Sequence, residues 1–262
     1  SQGGLRPPYG GVLIMGVMRK TEYPLQRIRA SEMPWEPLGT HGLRRRLLGL
    51  DAATGHVTSI VGIPENWRGG GVAHYHDAVE EVYMLEGSVT LDDVHYWKQG
   101  DYFYRPARIV HGHDEKSHIG AMALTRSNGI LVLNLVHEPA EPIEYPLPGA
   151  HDPRGHVFSL PVADVVAKAD PAFPAEWRIK TLSADPESGA RTVIAEVPAG
   201  WHGTAAALGT EWEAFILSGS IDGAAGDFVP QDYTTGDVDT PLLGATCSEP
   251  GCTILIWQFA RP

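Results

Sequence analysis

The stretch Asp51-Ala-Ala-Thr-Gly-His-Val-Thr-Ser-Ile-Val-Gly-Ile-Pro-Glu-Asn-Trp67 returns as Asp185-Pro-Glu-Ser-Gly-Ala-Arg-Thr-Val-Ile-Ala-Glu-Val-Pro-Ala-Gly-Trp201, with Asp, Gly, Thr, Ile, Pro and Trp at one constant offset. Each copy is a turn followed by a short β-branched run closed by proline, which is the signature of a strand rather than of a helix. A recurrence of this length implies a duplicated unit. Working outward, Glu81-Val-Tyr-Met-Leu-Glu-Gly-Ser-Val89 matches Glu213-Ala-Phe-Ile-Leu-Ser-Gly-Ser-Ile221, and Gly100-Asp101 is paired with Gly236-Asp237. With 30 Gly and 21 Pro punctuating many such runs, the expected fold is all-β, in two barrels of short strands.

Glu138 to Gly155 holds Pro139, Pro142, Pro146, Pro148 and Pro153, a composition that resists helix and central strand and reads as the connecting segment. The expected domains are therefore residues 1–150 and 151–262, each large enough for its own core. Asn128-Gly129, between Ala121–Thr125 and Ile130–Val136, reads as a hairpin turn. The opening Ser-Gln-Gly-Gly is read as an addition ahead of a natural start at Met15 or Met18, so the first dozen residues carry no weight. The net charge of −12 argues against nucleic acid or an anionic membrane as partner. No apolar run nears the roughly 20 residues of a membrane span, and the expected location is the cytoplasm. Cys247 and Cys252 are read as free thiols, too few for a disulfide framework.

Alternation along a strand puts the two imidazoles of Ala73-His-Tyr-His76 on one face. After a short turn, Glu80 or its neighbour Glu81 offers a hard anionic donor, and Gly100-Asp-Tyr-Phe-Tyr-Arg-Pro-Ala-Arg-Ile-Val-His111 adds a strand, a turn and a third histidine. Three histidines and a carboxylate are a ligand set for a divalent ion.

Here the sequence resembles the cupin superfamily, whose motifs are G(x5)HxH(x3-4)E(x6)G and G(x5)PxG(x2)H(x3)N. His74, His76, Glu80 and Gly87 fit the first motif; Gly100, Pro106 and His111 fit the second, and the spacing selects Glu80 over Glu81. Arg68, Arg108 and Glu115 depart from the pattern at positions that are not ligands in the family. The resemblance implies tandem cupin (jelly-roll) barrels, a bicupin, with the metal on His74, His76, Glu80 and His111. Pro34-Trp-Glu-Pro37, Gly42-Leu-Arg-Arg-Arg-Leu-Leu48 and the His-x-His segment further resemble the cupin domain of ChrR-type anti-sigma factors, a group that contains acetylacetone- and dihydroxyacetophenone-cleaving dioxygenases.

The internal copy separates folding from chemistry. At the aligned positions of the second half His74 becomes Ala206, His76 Leu208, Glu80 Trp212 and His111 Cys247, so the second barrel is expected to hold no metal. Trp67 with Trp201, Arg44 with Arg178, Arg46 with Lys180, Asp101 with Asp237 and Tyr83 with Phe215 look structural. Tyr102, Tyr104 and His113 have no such counterparts and become the candidate catalytic residues. His95, Trp97, His118 and Arg126 are read as edge and surface residues, and His202 and Cys247 lack a third ligand.

Three neutral imidazoles and one carboxylate leave an octahedral ion two open positions, which suits Fe(II), favoured here, as well as Mn(II), Ni(II) or Co(II); Zn(II) prefers fewer ligands. The resemblance then implies an Fe(II) dioxygenase cleaving a carbon–carbon bond of a small diketone or hydroxyketone. Two other readings stay open, a metal-dependent lyase, isomerase or hydrolase and a non-enzymatic metal or ligand sensor. The expected partners are a small-molecule substrate, O2 and a second copy in a homodimer.

Overall fold

The computed structural model describes residues 27–260; the opening residues and both candidate starts lie outside them. It contains no α-helix among these residues, only strands and three single-turn 3-10 segments. Each half builds one large antiparallel sheet. In the first, the strands run in the order 157–161, 101–105, 80–90, 121–127, 57–63, 43–50, 36–38; in the second, 28–29, 232–236, 212–219, 252–258, 191–197, 178–184. Apart from strand 36–38, which has no counterpart in the second sheet, the orders are equivalent strand by strand, which is the jelly-roll duplication expected.

The first strand in each list comes from the other half. Leu160 and Pro161 pair with Tyr102 and Asp101 of the first sheet, while Ile28 and Arg29 pair with Tyr233 and Asp232 of the second. Each arm then makes one 3-10 turn, tied by Val162 N–H to Gly100 O and by Ala30 N–H to Gln231 O, both at 3.0 Å. The halves thus exchange arms, and the chain leaves the first sheet after Pro161 rather than near residue 150. An arm of two to five residues has no periodicity of its own, so its partner sheet is invisible in the sequence.

This exchange also corrects the alignment. Asp101 accepts the Lys98 N–H at 2.9 Å and Asp232 the Val229 N–H at 3.0 Å, while Glu80 faces Arg105 where Trp212 faces Gly236. Asp101 therefore matches Asp232, not Asp237, and Tyr102 matches Tyr233. The adjacent Gly236-Asp237 supplied a better letter match than the true counterpart, Gln231-Asp232. Similarly, Ser117 pairs with Trp67 and Ser248 with Trp201, so Cys247 is the partner position of Lys116. His111, whose N–H bonds His74 O, has its counterpart in Leu242, whose N–H bonds Ala206 O.

The turn that opens the repeat explains what the copies share. Asp51 and Asp185 each cap their turn by accepting backbone N–H groups, and Gly55 and Gly189 take φ near +78° and +75°, a conformation that favours glycine. The Asn128-Gly129 hairpin does not form. Strand 121–127 ends at Ser127, Asn128 Oδ1 accepts the Val79 N–H at 2.8 Å, and Asn134–Val136 pairs instead with Ala73–Tyr75.

Alternation sorts the side chains into three layers. Val82 and Met84 join Trp67, Trp97 and Phe103 inside the first barrel. Tyr83, Leu85, Tyr102 and Tyr104 pack with Phe215, Tyr233 and Trp257 between the two sheets. Trp177, Trp201, Trp212 and Phe228 fill the second barrel. Trp97 is core and not edge, because its indole N–H reaches Phe158 O across the barrel at 3.1 Å.

The middle layer also holds a buried polar knot of near two-fold symmetry. Glu81 accepts hydrogen bonds from Tyr102 (2.5 Å) and Thr192, and Glu213 accepts one from Thr58 at 2.6 Å. Thr192 and Thr58 occupy equivalent positions of the repeat, as do Glu81 and Glu213. Arg126 lies 3.8 Å from Glu81 and 3.7 Å from Glu213, bridging the halves. Arg126 is thus an interface residue and not a surface one.

Candidate metal centre

His74 lies on the short strand Ala73–Tyr75, held by Asn134–Val136 on one side and by reciprocal 2.8 Å backbone bonds to His111 on the other. These local pairings bring His74, His76 and His111 together, although His111 is far away in sequence. Their ring centroids are 4.4 to 5.2 Å apart, and one nitrogen from each lies within 4.8 Å of the others. All three side chains are buried.

Each ring is oriented by a backbone carbonyl at its Nδ1: Val132 O at 2.8 Å for His76, Ile109 O at 2.9 Å for His111, and a longer 3.4 Å contact to Val72 O for His74. An Nδ1–H donated to a carbonyl leaves the Nε2 lone pair free, the tautomer a metal ligand requires. Burial pushes His74 down to about 4 and His111 well below its ordinary value, so both imidazoles are neutral at pH 7. The donor set therefore fits a divalent cation.

Glu80 faces the same interior, 3.8 Å from His111 Nε2, but its carboxylate is also bound by the buried Arg105. Arg105 in turn binds Glu144, which His156 Nε2 meets at 2.9 Å. Glu144 comes from the proline-rich connection, whose Tyr145–Pro146 pairs with Ile109–Val110. That segment is a fixed wall of the site rather than a loose connector. Opposite, Glu115 rests against Gly69 and Gly112, and burial followed by the Glu80 charge pushes its carboxyl up to about 7.

The expected catalytic tyrosines are elsewhere. The Tyr102 hydroxyl bonds Glu81 and Ser183 (2.6 Å) in the middle layer, and the Tyr104 hydroxyl bonds Asp152 at 2.8 Å beneath Arg154. Strand 101–105 turns Phe103 and Arg105 toward the first barrel's interior, so the even-numbered tyrosines must face the other way. His113 is half-buried and is not among the converging donors. Arg105, Glu115 and Glu144 were missed. Alternation from Phe103 could have flagged Arg105, and Glu115 stood at the motif's final Asn position, whereas nothing local marks Glu144.

Two equivalent jelly-roll barrels, one carrying a buried His-x-His-centred cluster and the other an apolar interior, make a bicupin-type fold. The model of the ChrR cupin-like domain matches residues 25–130, the first barrel. No curated protein matches the chain by sequence. Among solved structures, a "putative dioxygenase" from Nostoc punctiforme aligns with TM-score 0.75 at 16% identity, over 90% of this chain and 83% of that one. Protein YlbA from E. coli aligns with TM-score 0.59 at 12% identity, over 91% and 92%. Oxalate decarboxylase from Bacillus subtilis, a protein with Mn(II) centres, aligns with TM-score 0.54 at 14% identity, over 92% and 78%. No helix among the described residues is long and apolar enough to cross a membrane.

Proposed function

We propose that the first barrel is an Fe(II)-dependent dioxygenase site that cleaves a carbon–carbon bond beside a carbonyl in a small diketone or hydroxyketone. The observation that carries this reading is the trio of buried, carbonyl-oriented imidazoles His74, His76 and His111, one ring nitrogen of each lying within 4.8 Å of the others. Glu80 is the fourth, anionic donor, and Arg105 compensates its charge. Fe(II) held there would supply open positions for a chelating enolate and for O2, and the electrons that pass between them.

The protein's own groups set the conditions for that chemistry. The carbonyls of Val132 and Ile109 fix the rings of His76 and His111, so little reorganisation accompanies binding. Glu144, brought to Arg105 by the pairing of Tyr145–Pro146 with Ile109–Val110, fixes the guanidinium that binds Glu80.

A second reading, in which a divalent ion acts only as a Lewis acid, is favoured by the engagement of Glu80 with Arg105. Three neutral donors alone would leave the ion its full charge.

The test is metal content after anaerobic purification, followed by oxygen uptake with a panel of β-diketones and α-hydroxyketones. Stoichiometric uptake with the iron-loaded protein is expected. Turnover without oxygen consumption would replace the first reading with the second, and iron-loaded protein inert toward the whole panel would sink it.

A further inference from the structure

We propose that Glu115 is the residue that meets the substrate at the histidine cluster, accepting a hydrogen bond from a hydroxyl or enol O–H next to the metal-chelating oxygen. This inference rests on the metal reading above and narrows its substrate class. The site selects an α-hydroxyketone or an enolised diketone over a dicarboxylate, which brings a second acceptor and no proton.

The argument starts from the space around Glu115. A Cβ on Gly69 would stand 2.2 Å from Glu115 Oε2, and one on Gly112 would stand 2.9 Å from Glu115 Oε1 and 2.6 Å from His74 Cε1. Two glycines therefore make room for this carboxyl, and it shares the face of Gly112 with a ring whose Nε2 belongs to the converging set. Gly112 has φ of +77°, so a side chain is doubly disfavoured there.

The other acidic groups of the site are all engaged: Glu80 with Arg105, and Glu144 with Arg105 and His156. Glu115 is influenced by burial and by the charges of Glu80 and Arg105, with no hydrogen bond contributing. A half-buried carboxyl without a partner is costly to keep unless something completes it.

The second barrel shows that the fold does not need it. Gly69 N–H bonds Glu115 O and Gly203 N–H bonds Thr246 O, both at 2.9 Å, so Thr246 is the counterpart of Glu115. The space beside Gly203 is taken by the Trp201 indole, 2.9 Å from where a Cβ would stand. A carboxyl is present only where the histidines are.

The experiment uses full-length protein loaded with Mn(II) under argon, with 1-hydroxypropan-2-one and oxalate as probes and the Mn(II) EPR signal as readout. Wild type is expected to bind the hydroxyketone more tightly than oxalate. Glu115→Ala should weaken hydroxyketone binding about tenfold, the scale of one lost hydrogen bond to a charged group, without weakening oxalate. Glu115→Gln, which keeps an acceptor oxygen, should recover most of the loss, and metal stoichiometry should be unchanged throughout. Unaltered hydroxyketone binding in Glu115→Ala, an equal loss for both probes, or loss of the metal itself would overturn the assignment alone. A wild type that takes up no metal would overturn both this inference and the metal reading.

Discussion

Where the first barrel places His74, His76, Glu80 and His111, the second places Ala206, Leu208, Trp212 and Leu242, within an otherwise matching strand order. Trp212 occupies the volume that Glu80 and Arg105 fill in the first barrel. It fits because Arg105 is replaced by Gly236, where any Cβ would stand 2.3 Å from the indole. The exchange has a clear direction in free energy. An apolar interior gains from burial, whereas a buried ion pair and three desolvated imidazoles at best break even against apolar groups of similar volume. The second barrel fills the same interior with apolar side chains, and the first keeps a polar set there that burial does not favour.

That comparison can be broken most decisively at the histidines. His111→Ala should reduce bound metal from about one per chain to none, measured by elemental analysis, while Leu242→Ala at the equivalent position leaves the ratio unchanged. Equal metal content in the two variants would remove the asymmetry on which the functional reading stands.

The next largest effect is expected in the apolar barrel. Trp212 is 1% exposed, and Trp212→Ala should cost about 3–5 kcal/mol in denaturant unfolding without altering the metal ratio.

A third test sharpens the polar side through pH. In metal-free protein His74 sits at about 4 in the fold against an ordinary 6.5, so the unfolded chain binds more protons as pH falls from about 6.5 to 4, and stability drops. Glu115, raised to about 7 from an ordinary 4.5, works the other way, since the fold takes the proton first and gains stability as pH falls from about 7 to 4.5. Glu115→Gln should therefore steepen the acid loss between pH 6.5 and 4.5 by up to about 1.4 kcal/mol per pH unit. Parallel stability–pH curves for the two proteins would contradict these environments.

The smallest effect separates structure from catalysis at a single oxygen. Tyr102→Phe removes hydroxyl bonds to Glu81 and Ser183, and should cost about 1 kcal/mol of stability with metal content and oxygen uptake unchanged. A collapse of turnover would return Tyr102 to the site.

The repeat, the all-β class and the histidines were legible because they rest on local rules. Asp51 and Asp185 need the same turn, period two puts His74 and His76 on one face, and motif spacing brought in Glu80 and His111. The same period could have excluded Tyr102 and Tyr104, since they face opposite to Phe103 and Arg105 on one strand. What it could not supply is which of two layers each face meets. Glu144 was illegible for a further reason: it reaches Arg105 from a proline-rich segment with no periodicity, and only the pairing of Tyr145–Pro146 with Ile109–Val110 brings it there.

By itself the sequence determined two copies of one strand pattern and one copy's clustered histidines, because turns, alternation and residue chemistry act over a few residues. Only the tertiary structure decided that the halves exchange arms at Ile28–Arg29 and Val157–Pro161, that the tyrosines serve the seam between sheets, and that Arg105 ties Glu80 to Glu144. Those outcomes depend on which distant backbone edge a strand meets and which charge needs a partner once water is excluded, and both are settled only when the sheets come together.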